Sequence, residues 1–385
     1  MLLDGILEAL RKVVPPGAQP LHEPEFAGRE WEYVKDCLDT GWVSSVGNYV
    51  DRFEAMLAEF TGAKRVIATV NGTAALHVCL LLAGVEEGDE VIIPDLTFVA
   101  TANAVAYCRA TPLLADVEEQ TLGLAPAPLA TWLADNTRIE TDRCIDRHTG
   151  RRIRAVVPMH TFGHPVDLDP LVGLCNEYHL VLIEDAAESL GSYYKGRHTG
   201  RFGRLAALSF NGNKTVTTGG GGAIMTDDEE LGRLANHLTT TARQPHRWEF
   251  FHDMTAYNYR LPNLNAALGC AQLERLPDFL RRKRALAEAY HRAFAGVTGA
   301  AIFREPEFAR SNYWLNVLLL DEEQAMHRDA LLEATNACGI GTRPAWTLMH
   351  RLPMYAACPR LPTPVAESLA RRLVNLPSSP RLAPA

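Results

Sequence analysis

Val66-Ile67-Ala68-Thr69-Val70-Asn71-Gly72-Thr73-Ala74-Ala75-Leu76 joins a short apolar run to a tight turn and then to a helical stretch. The run is apolar at consecutive positions, the pattern of a strand covered on both faces, and the alanines and leucine that follow favour a helix. The same unit recurs along the chain. Val91–Pro94, Pro112–Ala115, Ala155–Pro158, Leu180–Ile183 and Ala206–Phe210 are further short apolar runs, and 73–84, 98–108 and 168–178 read as helices between them. Strands that alternate with helices predict an α/β fold with a mostly parallel sheet.

Upstream, residues 29–39 and 49–61 are amphipathic; in the second, Val50, Phe53, Met56, Leu57 and Phe60 form one apolar face. The polar segment 134–153 reads as a solvent-facing hairpin. Past Met254 the texture changes. Two consecutive helices are expected at Asn263–Leu276 and Leu280–Phe294, then a strand at Tyr313–Leu320, a helix at 325–337 and Pro-rich connections. The chain of 385 residues therefore divides into a large domain over 1–254 and a smaller C-terminal α+β domain over 255–385.

Composition narrows the partners. A net charge of −8 argues against a general nucleic-acid or anionic-membrane surface, leaving only local basic pockets. No run approaches the ~20 apolar residues that span a bilayer. The opening residues lack a basic segment followed by a long apolar one, so no secretion signal is expected. The eight cysteines are scattered without a C-x-x-C pair, which fits reduced thiols and a cytoplasmic location. There are six lysines against 32 arginines among the 38 basic side chains, so a lysine that does chemistry has few rivals.

Lys214 follows the buried run in Ser209-Phe210-Asn211-Gly212-Asn213-Lys214, and four glycines, 219–222, come soon after. An amine in a stretch without charge can be desolvated and so made nucleophilic; a loop lysine before a Gly-rich turn has the same pattern. Lys283, by contrast, reads as part of a basic surface run, Arg281-Arg282-Lys283-Arg284. Asp185 closes Val181-Leu182-Ile183-Glu184-Asp185 at the strand end where open α/β sheets bind ligands. A carboxylate there suits a protonated ring nitrogen, although a helix-capping Asp looks alike. Gly72 and Thr73 open a helix whose free N–H groups suit a phosphate, or serve as an ordinary N-cap. His160 and His164 stand four apart, but Gly163 and Pro165 disfavour a helix and no Cys/His cluster accompanies them, so no metal is expected.

Together these pieces resemble the DegT/DnrJ/EryC1/StrS sugar aminotransferase family, of the aspartate aminotransferase-like fold (type I of pyridoxal phosphate, PLP, enzymes). The resemblance runs from about Pro24 to the end. It is carried by Trp42-Val43-Ser44-Ser45, Asn71–Leu76, Pro94-Asp95-Leu96-Thr97-Phe98-Val99-Ala100-Thr101, Glu184-Asp185-Ala186-Ala187-Glu188, Ser209-Phe210 with Asn213-Lys214, and Tyr257-Asn258-Tyr259-Arg260. It implies that Lys214 forms the Schiff base with PLP and shuttles the proton, and that Asp185 pairs with the pyridine nitrogen. Phe98 stacks on the ring, and Glu188, where many relatives carry Gln, sits near the ring hydroxyl. Gly72, Thr73 and Ser209 hold the phosphate. Asn258 reaches the cofactor of a neighbouring subunit, so a homodimer with shared active sites is expected.

Relatives that dehydrate sugars carry histidine at the lysine position, so Lys214 implies transamination, with L-glutamate as donor and a nucleotide sugar as acceptor. The run around Lys214 looks most like enzymes that aminate C4 of a UDP-linked 2-acetamido-4-keto-2,6-dideoxy hexose. GDP-perosamine synthases are near neighbours; C3 amination, dehydration and a non-catalytic regulator are the alternatives. His160, Trp314, Arg343, Trp346 and His350 are the candidate substrate-side residues.

Overall fold

The computed structural model describes residues 2–384. Its centre is a nine-stranded sheet. The main path runs Arg65–Thr69, Gly222–Thr226, Leu205–Ser209, Val181–Asp185, Arg152–Val156, Glu90–Pro94, Thr111–Ala115. All pairings from Leu205–Ser209 onward are parallel, and only Gly222–Thr226 runs against its two neighbours. Helices cover both faces: one cluster joins Leu76, Val78 and Leu80 to Ile93, Ala155 and Ile183, another joins Phe53, Leu57 and Leu276 to Ala68, Leu208 and Met225. Burial on both faces is what the unbroken apolar runs dictate.

Gly222–Thr226 had no expected counterpart in the sequence, because the glycine run 219–222 that leads into it masks the strand. Its first residue pairs with Thr69, and a Cβ there would fall 2.5 Å from the Asn71 backbone. Glycine is thus required for two chain segments to pass at backbone distance. The segment 134–153 does form a hairpin, Thr137–Glu140 with Arg143–Asp146, but it also pairs with Arg152–Val156 and extends the sheet.

The two helices expected at 263–276 and 280–294 are one, Asn263–Phe294, with Pro277 inside. An internal proline costs an unfavourable ~3 kcal/mol in isolation. Here Leu273, Leu276 and Phe279 are buried around it, and packing overrides the break. The N-terminal half lies on the large sheet. Leu286, Tyr290 and Phe294 of the other half join a cluster with Leu318, Val374 and Leu376, and with Ile6, Ala9 and Leu10 of the helix Leu2–Arg11. The expected division near residue 254 lies between Glu229–Thr239 and this long helix.

The C-terminal sheet is antiparallel, in the order Ala300–Ile302, Asn316–Leu320, Leu373–Leu376, Arg343–Pro344. Its second strand starts three residues later than expected because Tyr313 takes a left-handed φ of 48°. The helix expected at 325–337 is a 3-10 turn, Glu322–His327, followed by Arg328–Ala337. Lys283 is corrected most sharply: it is fully buried. Its neighbours Arg281 and Arg282 pair with Asp278, and Arg282 also pairs with Glu25, so only part of the basic run faces water. No described helix is long and apolar enough to cross a membrane.

Candidate active site

The parallel strands end together. Thr69, Pro94, Asp185 and Ser209 stand at the C-terminal edge of the sheet, and the segments leaving them line one cavity of about 290 Å³. These strands run the same way, so the turns that leave them fall on one edge, and residues distant in sequence converge here.

Lys214 reaches the cavity from the turn after Leu205–Ser209, where its N–H donates to Asn211 O at 3.0 Å. Its amine lies 3.0 Å from Glu188 Oε1 and 4.1 Å from the centre of the Trp314 ring, with 12% of the side chain exposed. A carboxylate and an aromatic face thus hold the amine in place from two sides. Glu188 Oε2 accepts from Phe162 N at 2.8 Å. Burial pushes Glu188 up to about 7, against the opposing charge and hydrogen bond of Lys214.

One prediction arises from that carboxylate. Glu188 gains its proton as pH falls through about 7, and Lys214 then loses its ionised partner. Its folded pKa lies above the unfolded value, so this group's contribution to stability is larger at low pH and declines as pH rises towards about 7. The rate at which the apoprotein captures PLP should show an inflection near pH 7. Glu188→Gln should remove that inflection and change PLP affinity by less than roughly tenfold, since the amide keeps an acceptor for Phe162 N. A mutant that keeps the inflection would assign it elsewhere.

Asp185 is buried at its strand end. Thr101 Oγ1 donates to its Oδ2 at 2.7 Å and Ala187 N to its Oδ1 at 3.2 Å. Burial raises its pKa, while these hydrogen bonds and the charges of Lys214 and His160 oppose the rise. No regular helix follows Asp185, so it does not cap one. Thr101 was not among the expected site residues. It lies on the helix Val99–Tyr107, its hydroxyl 3.0 Å from that of Thr97, and only the fold reveals that this face meets Asp185.

At the other side, the helix Gly72–Leu82 points its N-terminus at the cavity, with the Asn71 side chain accepting from Ala74 N at 2.8 Å. A Cβ on Gly72 would lie 2.8 Å from Ser209 Cβ and 3.2 Å from Leu208 O. Gly72, Thr73 and Ser209 thus form a cradle that a single methyl would fill, at a helix N-terminus suited to an anion. Gly72→Ala is accordingly expected to weaken PLP binding about tenfold and to cost about 1–3 kcal/mol of overpacking. A PLP titration and a melting curve measure both, and undiminished affinity would remove the cradle from the phosphate's side. Phe98 is 46% exposed at the rim, 6.0 Å from Trp346, whose ring packs 4.7 Å from Phe162.

Other candidates lie outside the lining. His160 is fully buried with Nε2 3.0 Å from Glu184 Oε2 and Nδ1 accepting from Val166 N, so its expected role on the substrate side is corrected. Glu184 Oε1 accepts from Phe202 N at 2.6 Å and Gly203 N at 2.7 Å, so the pair organises the backbone behind Asp185. His350 is also removed from the lining: its Nδ1 lies 2.5 Å from Asp95 Oδ2. Arg343 is an exposed residue bonded to Asn336 and Thr342. Asn258 stands exposed on an extended segment bridged to Thr240. Trp314 and Trp346 do line the cavity. His164 packs against Phe303 and Tyr313, and among the described residues no cluster could hold a metal.

The donor set fits PLP. A buried carboxylate, a cradle at a helix N-terminus, an amine and an aromatic rim, all lining one cavity, suit a planar phosphorylated pyridine aldehyde.

Comparison with known proteins agrees. Residues 24–385 match the DegT/DnrJ/EryC1/StrS aminotransferase family. The GDP-perosamine synthase of Vibrio cholerae is 37% identical over 368 residues, 94% of each chain. That of Caulobacter vibrioides is 36% identical over 358 residues, 92% of this chain and 91% of its own. Among solved structures, the aminotransferase TlmJ from Streptoalloteichus hindustanus superposes with a TM-score of 0.84 at 29% identity, over 94% of each chain. The α/β architecture, the sequence match and the cavity therefore lead to one assignment: the chain belongs to the DegT/DnrJ/EryC1/StrS aminotransferase family and is a PLP-dependent sugar aminotransferase.

Proposed function

We propose that the enzyme moves an amino group from L-glutamate to C4 of a nucleotide-linked 4-keto-6-deoxy hexose, as a homodimer with shared active sites. The observation that carries this reading is the Lys214 amine held by Glu188 at the wall of a cavity that Asp185 also lines. A lysine at this position favours transfer of the amino group over dehydration. The relatives named GDP-perosamine synthases support a GDP-linked hexose, and this sugar replaces the UDP-linked 2-acetamido hexose as the first candidate.

When bound, PLP supplies an electron sink for the carbon that carries the amine. Asp185 would hold the ring nitrogen, Gly72, Thr73 and Ser209 the phosphate, and Phe98 would cover a ring face. Lys214 carries the proton at Nζ, with Glu188 and Trp314 fixing where that proton sits. The buried walls keep water from competing for it. The cavity holds about 290 Å³, the lower end of ligand pockets, so the nucleotide extends beyond its mouth. Asn258, exposed and not among the residues lining this chain's own cavity, would act on the cofactor of the second copy.

The test is a single-turnover comparison. Protein converted to its amino form with glutamate and then desalted is mixed with a GDP-linked or a UDP-linked 4-keto-6-deoxy hexose. The product is read by mass and by the NMR position of the new C–N bond. Amination of the GDP sugar at C4 supports the proposal, amination only of the UDP sugar moves it to the second sugar, and amination at C3 or loss of water sinks it. The mass in solution reports the dimer.

A further inference from the structure

We infer that Lys283, a wholly buried lysine outside the cavity, positions Lys214 by clamping the backbone of Trp314. The inference rests on the reading of Lys214 as the cofactor lysine.

Lys283 lies on the long helix Asn263–Phe294, and its amine donates to two backbone carbonyls, Trp314 O at 3.1 Å and Ser378 O at 2.7 Å. Burial drives this amine well below the usual lysine range. Neutral carbonyls repay little of the desolvation of an ammonium, and a methionine would fill similar volume without that cost. What lysine provides at this point, and methionine does not, is donors.

The Trp314 carbonyl is a place where donors matter. Tyr313 just before it is left-handed, which a bulky residue adopts only when its surroundings hold it there. Asn312 fixes the near side of this turn: its Nδ2 donates to Glu188 O and Leu190 O at 2.8 and 2.9 Å, and its Oδ1 accepts from Trp314 N at 2.8 Å. Lys283 fixes the far side. The turn so held delivers the indole to two points: Nε1 donates to Asn213 O at 2.8 Å, and the ring face lies 4.1 Å from Lys214 Nζ. Trp314 therefore touches both the amine and the residue before it. Lys283 is a positioning residue that acts through Trp314.

The test uses Lys283→Met, Lys283→Gln, Trp314→Leu and the double variant Lys283→Met/Trp314→Leu. The readouts are thermal midpoint and the rate at which apoprotein captures PLP, in which the Lys214 nitrogen adds to the aldehyde carbon and one water leaves. Lys283→Met is expected to hold its midpoint within a few degrees and to capture PLP about tenfold more slowly, since small misplacements of reacting groups cost up to ~10²-fold. Lys283→Gln, which keeps donors, should recover most of the rate even if it melts lower. A filler role predicts the reverse order. Trp314→Leu should be slow by itself, and adding Lys283→Met should slow it no further. Capture by Lys283→Met within twofold of wild type, or faster, overturns the inference; so does a double variant slowed by the product of the two single effects. Should Lys283→Met not fold, a wild-type rate in Trp314→Leu overturns it equally. No sugar is used, so an error in the proposed substrate leaves the result intact. A wild-type protein that captures PLP no better than Lys214→Ala would instead sink the reading of Lys214.

Discussion

Lys214→Ala is expected to leave a folded protein with no measurable visible PLP band and a transamination rate lower by at least about 10⁴-fold. The size follows from what else could take over. Lys12, Lys35 and Lys195 are exposed and paired with Glu8, Asp39 and Asp169; Lys64 is exposed, and Lys283 is committed to two carbonyls. Among the described residues Lys214 alone of the lysines lines the cavity, so no second amine can stand in. The fold should tolerate the change. The lost ammonium leaves Glu188 without its ionised partner, but that carboxyl is already pushed up by burial and can stay protonated, keeping its contact with Phe162 N on the other oxygen. Spectra with and without PLP, a melting curve, and glutamate-dependent amination of the sugar together check the result. A variant that still forms the band and turns over would place the chemistry on another residue.

The scarcity of lysine is also why this residue stands out in the sequence. Six candidates, five in polar or charged stretches, leave one in a stretch without charge. The same local reading fails for Lys283, because sequence neighbours report only which residues are adjacent along the helix. Arg281, Arg282 and Arg284 each swing to a carboxylate, and the position between them turns to the core. The strands are legible because burial on both faces leaves an unbroken apolar run. Gly222–Thr226 is not, since its leading glycine answers to the close approach of Asn71 rather than to strand propensity. Likewise the break expected at Pro277 expresses a local cost that tertiary burial of Leu276 and Phe279 outweighs. His160 shows the limit for site residues. Its motif marks it as important without saying for what, and only the pairing with Glu184 shows that it serves the backbone behind the cavity.

Asp185→Asn should separate binding from catalysis. The amide retains the shape of the carboxylate and an acceptor for Thr101 Oγ1, and the amine and phosphate cradle are untouched, so PLP should still bind and the visible band should still form. What is lost is a buried negative charge that lines the cavity. A charge in so dry a site stabilises a protonated ring nitrogen far more than it would in water, and removing one preorganised electrostatic partner of this kind costs about 10²–10³ in kcat, or ~3–4 kcal/mol. Stability should move the opposite way. Burial raises the pKa of Asp185, so at neutral pH the ionised carboxylate is a cost to the apoprotein that is relieved as pH falls. The Asn variant without PLP should therefore melt at or above the wild-type temperature, and its gain in melting temperature on adding PLP should be smaller. Half-reaction rates with glutamate, beside apo and PLP-loaded melting curves, test both parts. If kcat falls less than about tenfold while the apoprotein is destabilised, Asp185 is a structural carboxylate, and the charge that holds the ring must come from elsewhere in the cavity wall.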